Sequence, residues 1–242
     1  MKYAIVGDIH ANLEALQVVL RRCQELAVER YLCIGDIVGY NANPAECVKI
    51  IRDLGPEVIV KGNHDEQAAC HDELNGFNPQ AAHAIDWTRH QLSEGDRAWL
   101  GSLPLQRTLG TKMTLVHATL DMPEKWGYVF ESLTAEASLH YQFTQVCFFG
   151  HTHVPLVFEK FGRLSSEKYE DLKLLPGHKY MINVGSVGQP RDGDTRAAFA
   201  TFDTDEMRVQ LHRVEYDIAA AQEKILAADL PEKLAHRLSL GR

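Results

Sequence analysis

A length of 242 residues, with 45% hydrophobic and 24% charged residues, is typical of one globular domain that buries a substantial core. The 25 basic and 33 acidic residues leave a net charge of -8, which argues against a protein that wraps duplex nucleic acid or binds an anionic membrane. This balance still allows a small phosphorylated substrate, because bound metal ions add positive charge that the residue count omits.

The cysteines and the first residues indicate the compartment. Five scattered cysteines with no Cys-x-x-Cys pair suggest neither a disulfide framework nor a thiolate zinc site. The first apolar run is too short for a signal peptide, and no stretch approaches the roughly 18 apolar residues of a membrane span. We therefore expect a cytoplasmic protein without a membrane partner.

Short apolar runs recur along the chain, and each ends in polar residues. YAIV, YLCI and VIV lead into Gly7, Gly35 and Gly62, and TLV, VCFF and MINV follow later. Each run is continuous rather than alternating, which is typical of strands covered on both faces.

Two helices are predicted between the first three runs. Apolar residues from Leu13 to Ala27 share one face, and Asn12 precedes them as a cap. The second helix begins with an Asn-x-x-Glu cap at Asn43 and ends before Gly55. The alternation of strands and helices predicts a layered α/β fold, which places ligands at the carboxyl ends of its strands.

The remaining chain departs from this alternation. Residues 66–105 are predicted to be a mostly helical insert whose Ile85, Leu92 and Trp99 face the core or cover the site. RAAFATFD and RVQLHRVEYD predict antiparallel strands, and a helical tail follows from about Ile218. With neither repeat nor linker, residues 1–242 are predicted to form a single domain.

Polar residues at the strand ends suggest metal chemistry. Asp8 and His10 are two residues apart, so in an extended segment their side chains point to the same side, and His151 and His153 repeat this spacing. With Asp36, Asn63 and His117 they are too many ligands for one tetrahedral ion, and one bridging aspartate would hold two ions together. A single motif of this kind is more often turn chemistry, or a surface or core histidine, than a functional site, but five of them follow one another on successive strand ends.

The ordered motifs GDIHANLEAL, GDIVGY, GNHD, GHTHVP and NVGSVGQPRDGD resemble those of calcineurin-like metallophosphoesterases, and the last string resembles the small bacterial phosphodiesterase branch. The resemblance implies an α/β fold with two β-sheets in a sandwich flanked by helices. It also implies two divalent metal ions, with manganese, iron, zinc or nickel as candidates, and a bridging hydroxide that attacks phosphorus in line.

The resemblance assigns a role to each motif residue. The first ion would be bound by Asp8, His10 and His153, the second by Asn63, His117 and His151, and Asp36 would bridge them. His64 would be the catalytic histidine facing the substrate, as a proton donor or as a stabiliser of phosphoryl oxygens, with Asp65 as its orienting partner.

Three further residues are candidates for substrate binding. Arg191 could bind phosphate oxygens through its planar guanidinium, or it could form a loop ion pair with Asp192 or Asp194. Tyr40 and Asn41 follow Asp36 closely enough to line a pocket.

The predicted function is a dinuclear metal-dependent phosphohydrolase, a phosphodiesterase or nucleotide hydrolase acting on a small phosphorylated molecule. Symmetrical dinucleoside polyphosphates are one candidate substrate. The alternatives are a protein phosphatase and a catalytically reduced metal-binding scaffold of the same fold, which should have lost some ligands. A nuclease is disfavoured by the acidic balance and the lack of a basic patch with interleaved aromatic residues.

Overall fold

The computed structural model describes residues 1–74 and 77–242. Within these residues, two mixed sheets of six strands each are flanked by eight α-helices, which confirms the predicted α/β sandwich. We number strands and helices in chain order. The strands of the first sheet, in spatial order, are β3 (Val58–Ile59), β2 (Arg30–Cys33), β1 (Lys2–Val6), β11 (Ala197–Asp203), β12 (Arg208–Val214) and β9 (Asp171–Lys173).

The second sheet lies against the first. Its strands, in spatial order, are β4 (Gln106–Leu109), β5 (Met113–Val116), β6 (Val146–Phe149), β10 (Lys179–Asn183), β7 (Leu156–Phe161) and β8 (Arg163–Glu167). The helices are α1 (Leu13–Glu25), α2 (Pro44–Leu54), α3 (Asn63–Ala69), α4 (Pro79–Gln91), α5 (Glu94–Ser102), α6 (Ser132–His140), α7 (Ile218–Ala227) and α8 (Glu232–Leu238), with a 3-10 helix at Pro123–Lys125. In the described part of the chain, no helix is both long enough and apolar enough to span a bilayer.

The continuous apolar runs are explained by burial on both faces of each sheet. In β1, Ile5 points into the layer between the sheets, whereas Val6 belongs to the core on the helical side, with Leu16 of α1. Across that layer the rings of Phe148 and Phe202, from opposite sheets, have centroids 5.7 Å apart. A strand enclosed in this way needs apolar side chains at every position.

Parallel pairing brings the strand ends together. In the first sheet β1 and β2 are parallel, as are β2 and β3, and in the second sheet β6 is parallel to both β5 and β10. The predicted antiparallel pair of β11 and β12 is confirmed, and α7 begins at Ile218 as expected. Carboxyl ends of parallel strands meet at one edge of a sheet, so the polar motifs after them converge.

The two predicted helix caps have different outcomes. Asn12 caps α1, because its side chain accepts a hydrogen bond from the backbone N–H of Ala15. The cap predicted at Asn43 is wrong in detail: the side chain makes no cap bond, and its amide donates to Glu46 Oε1 instead. Gly55 ends α2 with a left-handed φ of 58°.

The predicted insert at 66–105 includes the end of α3, all of α4 and α5, and residues 75 and 76, which lie outside the described chain. Ile85 and Leu92 are buried. Leu92 and the partly buried Trp99 pack on the core between the first sheet and its helices. These side chains therefore support the core.

Candidate metal centre

The seven predicted ligands follow the ends of five strands, six of them on loops and Asn63 as the first residue of α3. Asp8 and His10 follow β1, Asp36 follows β2, and the pair His151 and His153 follows β6. Asn63 follows β3 and His117 follows β5. All seven residues are buried. The structure thus brings the predicted set to one edge of the sandwich.

Two groups of three potential ligand atoms lie within this set. Asp8, His10 and His153 form one group, and Asp36, His117 and His151 form the other, with the atoms of each group within 4.8 Å of one another. Asp36 Oδ2 lies 3.2 Å from His117 Nε2 and 3.6 Å from His10 Nε2. Asp36 is therefore located between the two groups.

Hydrogen bonds to backbone carbonyls fix which nitrogen of each ring faces the site. Nδ1 lies 3.1 Å from Val38 O in His10 and 2.6 Å from Gln189 O in His153. Since a carbonyl only accepts, each Nδ1 carries the proton and each Nε2 keeps a lone pair. These two Nε2 atoms are 3.1 Å apart, and two lone pairs at that distance suit a shared cation.

The other two histidines present different nitrogens. His117 Nδ1 donates to Ile34 O at 2.8 Å, which leaves Nε2 toward the carboxylates. In His151, Nε2 donates to Trp126 O at 2.9 Å, so Nδ1 is the nitrogen left for a ligand. Which ring nitrogen of each histidine faces the site is therefore set by tertiary contacts.

Unpartnered polar atoms test whether the residues suit metal ions. Asn63 Oδ1 is buried without a hydrogen-bond partner among the described residues, and His117 Nε2 has only the carboxylate of Asp36 at 3.2 Å, in a geometry outside the hydrogen-bond range. Such atoms are rare in folded proteins because an unsatisfied buried group costs about 1 to 3 kcal/mol. Amide oxygen, imidazole and carboxylate together match the donors of borderline divalent cations, so the site fits a metal.

The electrostatics also favour bound cations. Burial raises the pKa of Asp8, and the neighbouring Asp36 carboxylate contributes in the same direction. Burial opposes the charge of Asp36 as well, but the imidazoles of His117 and His64 outweigh it and hold its pKa well below the usual range. For His117, burial is outweighed by Asp36 and Asp8, which raise its pKa to about 9. In the metal-free chain, protonated His117 therefore supplies positive charge.

The backbone at the site differs from the expected extended geometry. Asp8, His10, Asp36, His151 and His153 all have left-handed φ values, between 48° and 66°. The reasoning from an extended segment is therefore wrong, although the residues do converge. The left-handed conformation costs about 1 to 2 kcal/mol for a residue with a Cβ atom. Strain of this kind clusters at functional sites, where the surrounding contacts maintain it.

Glycine is required where the backbone passes a carboxylate. A Cβ on Gly150 would lie 2.3 Å from Asp8 Oδ2, and the Asp8 carboxylate is held by the backbone N–H of His151 at 3.1 Å. We expect Gly150→Ala to lower the free energy of unfolding by about 1 to 3 kcal/mol and to weaken manganese binding. Thermal unfolding with and without manganese measures both effects.

Gly95→Ala is the matched control, because a Cβ there meets nothing closer than 3.8 Å inside α5. Alanine should stabilise that helix by about 0.5 to 1 kcal/mol and leave manganese affinity as it is. Equal manganese affinity in the two variants would contradict the role given to Gly150.

His64 lines the cleft and forms a further group of three potential ligand atoms with His10 and Asp36. Its ring centroid is 4.4 Å from that of Tyr40 and 4.8 Å from that of His10. Its Nδ1 is buried without a hydrogen-bond partner in the described chain. Burial lowers the pKa of His64 to about 4, so without ions or substrate the ring is neutral at pH 7.

The position of Asp65 differs from the prediction. Its carboxylate accepts hydrogen bonds from the backbone N–H groups of Ile37, Val38 and Gly62, at 2.8, 3.2 and 3.0 Å. These bonds join the loop after β2 to the start of α3. In the structure Asp65 therefore supports the loop that carries Asp36 rather than the ring of His64.

The three residues predicted to bind substrate have different positions in the structure. Tyr40 and Arg191 line a cleft of about 450 Å³ above the ligand groups. Asn41 is buried and donates to the backbone carbonyl of His10 at 2.7 Å, so it fastens the ligand loop instead of lining the cleft.

Arg191 is not used in the predicted loop ion pairs. Asp192 pairs with Arg213, and Asp194 pairs with Arg196 at 2.6 Å. Arg191 instead donates from Nε and Nη2 to Gln189 Oε1, at 3.3 and 2.9 Å. Its guanidinium is thus left facing the cleft.

Several residues that line the cleft were not predicted from the sequence. Phe77, Trp126 and Tyr128 line it together with Lys125, and the ring of Tyr128 stacks on His151 at 4.2 Å. The aromatic segment WGYVF, residues 126–130, was the available signal.

A supporting residue was also missed. Asn183 is buried and donates to Gly150 O at 2.7 Å and to Thr152 Oγ1 at 3.0 Å. It therefore fixes the loop of His151 and His153 from β10.

Similarity to other proteins agrees with this geometry. The family model of the calcineurin-like phosphoesterase superfamily domain matches residues 1–207. An uncharacterised protein of Methanocaldococcus jannaschii is 41% identical over 99% of this chain and 98% of its own length. A crystal structure of a metallophosphoesterase from Sphaerobacter thermophilus has a TM-score of 0.90 and 40% identity, covering 100% of this chain and 99% of the other.

A more distant relative has a named activity. The symmetrical bis(5'-nucleosyl)-tetraphosphatase of Coxiella burnetii is 26% identical over 74% of this chain, and the match spans 60% of that protein. The family match over most of the chain, the similar metallophosphoesterase structure and the buried ligand groups lead to one conclusion. The chain belongs to the calcineurin-like phosphoesterase superfamily and is a metal-dependent phosphoesterase.

Proposed function

We propose that the chain is a dinuclear metal-dependent phosphohydrolase that cleaves phosphodiester or nucleotide substrates. The observation that carries this proposal is a set of adjoining groups of three buried ligand atoms, two of which consist entirely of predicted ligands and share no residue. Catalytic metal sites commonly use three protein ligands and keep a position open for water or substrate. One structural ion would not need two such groups.

The proposed ligand sets follow the two groups. Asp8, His10 and His153 would hold one ion, and His117 and His151 would hold the other with Asn63, whose Oδ1 has no hydrogen-bond partner in the described part of the chain. Asp36, between the groups, would contact both ions. The donors include oxygen and imidazole nitrogen but no thiolate, which suits manganese, iron, zinc or nickel, and we propose manganese.

The chain positions the reacting groups. When bound, two divalent ions supply a nucleophile from water near neutral pH and neutralise phosphoryl oxygens. The bonds from Nδ1 of His10, His117 and His153 to backbone carbonyls hold the ligand nitrogens in fixed directions. The strained loops keep the carboxylates close together before a substrate arrives.

His64 is proposed to act on the substrate rather than on the metal. Its buried ring is neutral in the metal-free chain, and the negative charge of a bound phosphate would favour the protonated form. From the cleft it would donate a proton to the departing oxygen. Asp65 would act indirectly, since it fixes the loop next to Asp36.

The cleft supports a nucleotide-like substrate. Phe77, Trp126 and Tyr128 offer aromatic faces, and stacking of a base on such a face contributes about 1 to 3 kcal/mol. Arg191 supplies a guanidinium for phosphate oxygens. The tetraphosphatase activity in the name of the Coxiella relative agrees with this class of substrate.

A substrate panel tests the proposal. The manganese-loaded protein should hydrolyse bis(p-nitrophenyl) phosphate, nucleotide diesters or dinucleoside tetraphosphates faster than simple phosphomonoesters, as measured by product release. Asp36→Asn should lower kcat/KM by roughly 10²-fold or more, because several kcal/mol of charge stabilisation would be lost.

The matched control for this panel is Asp53→Asn, which removes a carboxylate from an exposed pair with Lys49 on α2 and should leave kcat/KM as it is. Failure of the protein to hydrolyse any phosphoester with manganese, iron, zinc or nickel would contradict the proposal.

A further inference from the structure

Two arginines from distant parts of the chain approach the same ring. The guanidinium carbon of Arg191 lies 5.6 Å from the centroid of Tyr40, and that of Arg237, on α8, lies 5.9 Å from it. Tyr40 in turn lies against His64 and lines the cleft. Residue 237 lies beyond residues 1–207, which the family model matches. The second guanidinium thus comes from outside the motifs that define the family.

In residues 1–74 and 77–242, no acidic side chain lies within ion-pair distance of either guanidinium. Arg191 donates to the side chain of Gln189, and Arg237 Nε donates to the main-chain oxygen of Arg242 at 2.7 Å. The two nearest acidic residues along the chain from Arg191, Asp192 and Asp194, are paired with other arginines. The pair therefore carries two positive charges that no acidic side chain neutralises.

A third donor beside them is also unused. Gln189 is 1% exposed, and its Oε1 accepts from Arg191, whereas its Nε2 has no hydrogen-bond partner in the described chain. A buried amide donor without a partner, next to the Arg191 guanidinium, indicates an acceptor supplied by a ligand. Arg237 is half-buried, and burial, followed by the charge of Arg191, lowers its pKa. An anion between the two arginines would relieve that repulsion.

The position of Arg191 relative to the ligand groups is fixed by hydrogen bonds. The backbone N–H of Arg191 donates to His153 O at 3.3 Å, and Gln189 O accepts from His153 Nδ1 at 2.6 Å. The segment that holds Arg191 thus also orients a candidate metal ligand. Because Arg191 lines the cleft with His153, an anion bound to its guanidinium would lie beside the ligand groups.

We propose that Arg191 and Arg237 form an anion subsite that binds a phosphate group linked to the scissile one, so that the preferred substrates contain two or more linked phosphates. This inference rests on the proposed phosphohydrolase function. Guanidinium groups suit this ligand because their planar donors can bind phosphate oxygens in pairs. The substrate class would be dinucleoside polyphosphates or nucleoside polyphosphates, and single-phosphate diesters would use only part of the cleft.

The kinetic test compares two substrates in one variant. Arg237→Gln should reduce kcat/KM for a dinucleoside tetraphosphate by about 10-fold more than for bis(p-nitrophenyl) phosphate. Only the tetraphosphate has a second phosphate that can form a charge-assisted hydrogen bond with Arg237, and the variant removes that bond. The difference should appear mainly in KM. Arg237→Lys should restore part of it, since the charge returns without the planar donors.

Arg242→Gln is the matched control, because it removes one positive charge from the same region and keeps the backbone groups through which residue 242 contacts Arg237. It should change both substrates equally. Losses of equal size on both substrates in Arg237→Gln, or no loss on either, would overturn the subsite. Melting temperatures measured in parallel identify a variant that is misfolded. In that case Arg191→Gln provides a second test, with the same expected difference in kcat/KM between the two substrates.

A binding measurement separates this inference from the proposed function. Calorimetric titration of the metal-free full chain with inorganic tripolyphosphate should give about 10-fold weaker binding in Arg237→Gln than in the unmodified chain or in Arg242→Gln. If the protein hydrolyses no phosphoester but this pattern is found, the proposed function fails and the anion subsite stands. If hydrolysis is found and tripolyphosphate binds all three proteins equally, the subsite fails alone.

Discussion

Removal of divalent cations should lower the melting temperature by roughly 5 to 10 °C for each ion lost and abolish phosphoester hydrolysis. An ion at 100 times its dissociation constant adds about 2.7 kcal/mol to the free energy of unfolding. In a chain of this length, 1 kcal/mol shifts Tm by about 2 to 4 °C. The physical reason is that Asp8 and Asp36 are buried together, so a bound cation stabilises the folded state specifically.

Calorimetry on chelator-treated protein, followed by titration with manganese, measures this effect. Elemental analysis at saturation should find two ions per chain, and manganese should restore both the melting temperature and hydrolysis. Magnesium serves as a comparison, because it prefers oxygen ligands in octahedral geometry and the site is rich in imidazole. A saturated protein with at most one ion and full activity would rule out the dinuclear proposal.

The second large effect concerns His64 and the leaving group. For His64→Asn we expect kcat to fall by about 10²- to 10⁴-fold on a nucleotide diester and much less on bis(p-nitrophenyl) phosphate. A ribose alkoxide departs poorly without a proton, whereas a nitrophenolate leaves readily as the anion. Steady-state kinetics on both substrates, at equal manganese occupancy, measure the difference.

Asn63→Ala is the comparison variant, since Asn63 and His64 are neighbours with different proposed roles. It should weaken manganese binding, and excess manganese should partly restore its rate on both substrates. Equal losses on both substrates in His64→Asn would mean that the ring stabilises phosphoryl oxygens or positions the substrate, and its role as proton donor would have to be abandoned. Burial lowers the pKa of His64 to about 4, so a role as proton donor requires that the bound substrate favour the protonated ring. The comparison of the two substrates tests this role directly.

The local sequence pattern was sufficient to predict the buried strands of the sandwich and the polar residues that follow them. A run such as YAIV, apolar at every position, has to be covered on both faces, and β1 is enclosed between a helical core and the facing sheet. Parallel pairing then brings residues that follow different strands, such as Asp8 and Asp36, to one edge. The side chain of Asn12 caps α1 because that bond spans only three residues and is encoded locally.

The contacts of these residues, in contrast, depend on how the sheets and helices pack against one another. Which nitrogen of His151 faces the site depends on Trp126, and the backbone partners of Asp65 come from the loop after β2. The aromatic walls of the cleft, and the approach of Arg237 to Arg191 across Tyr40, join segments far apart in the chain. No local periodicity encodes such contacts, because they arise from the packing of sheets and helices that the chain has already formed.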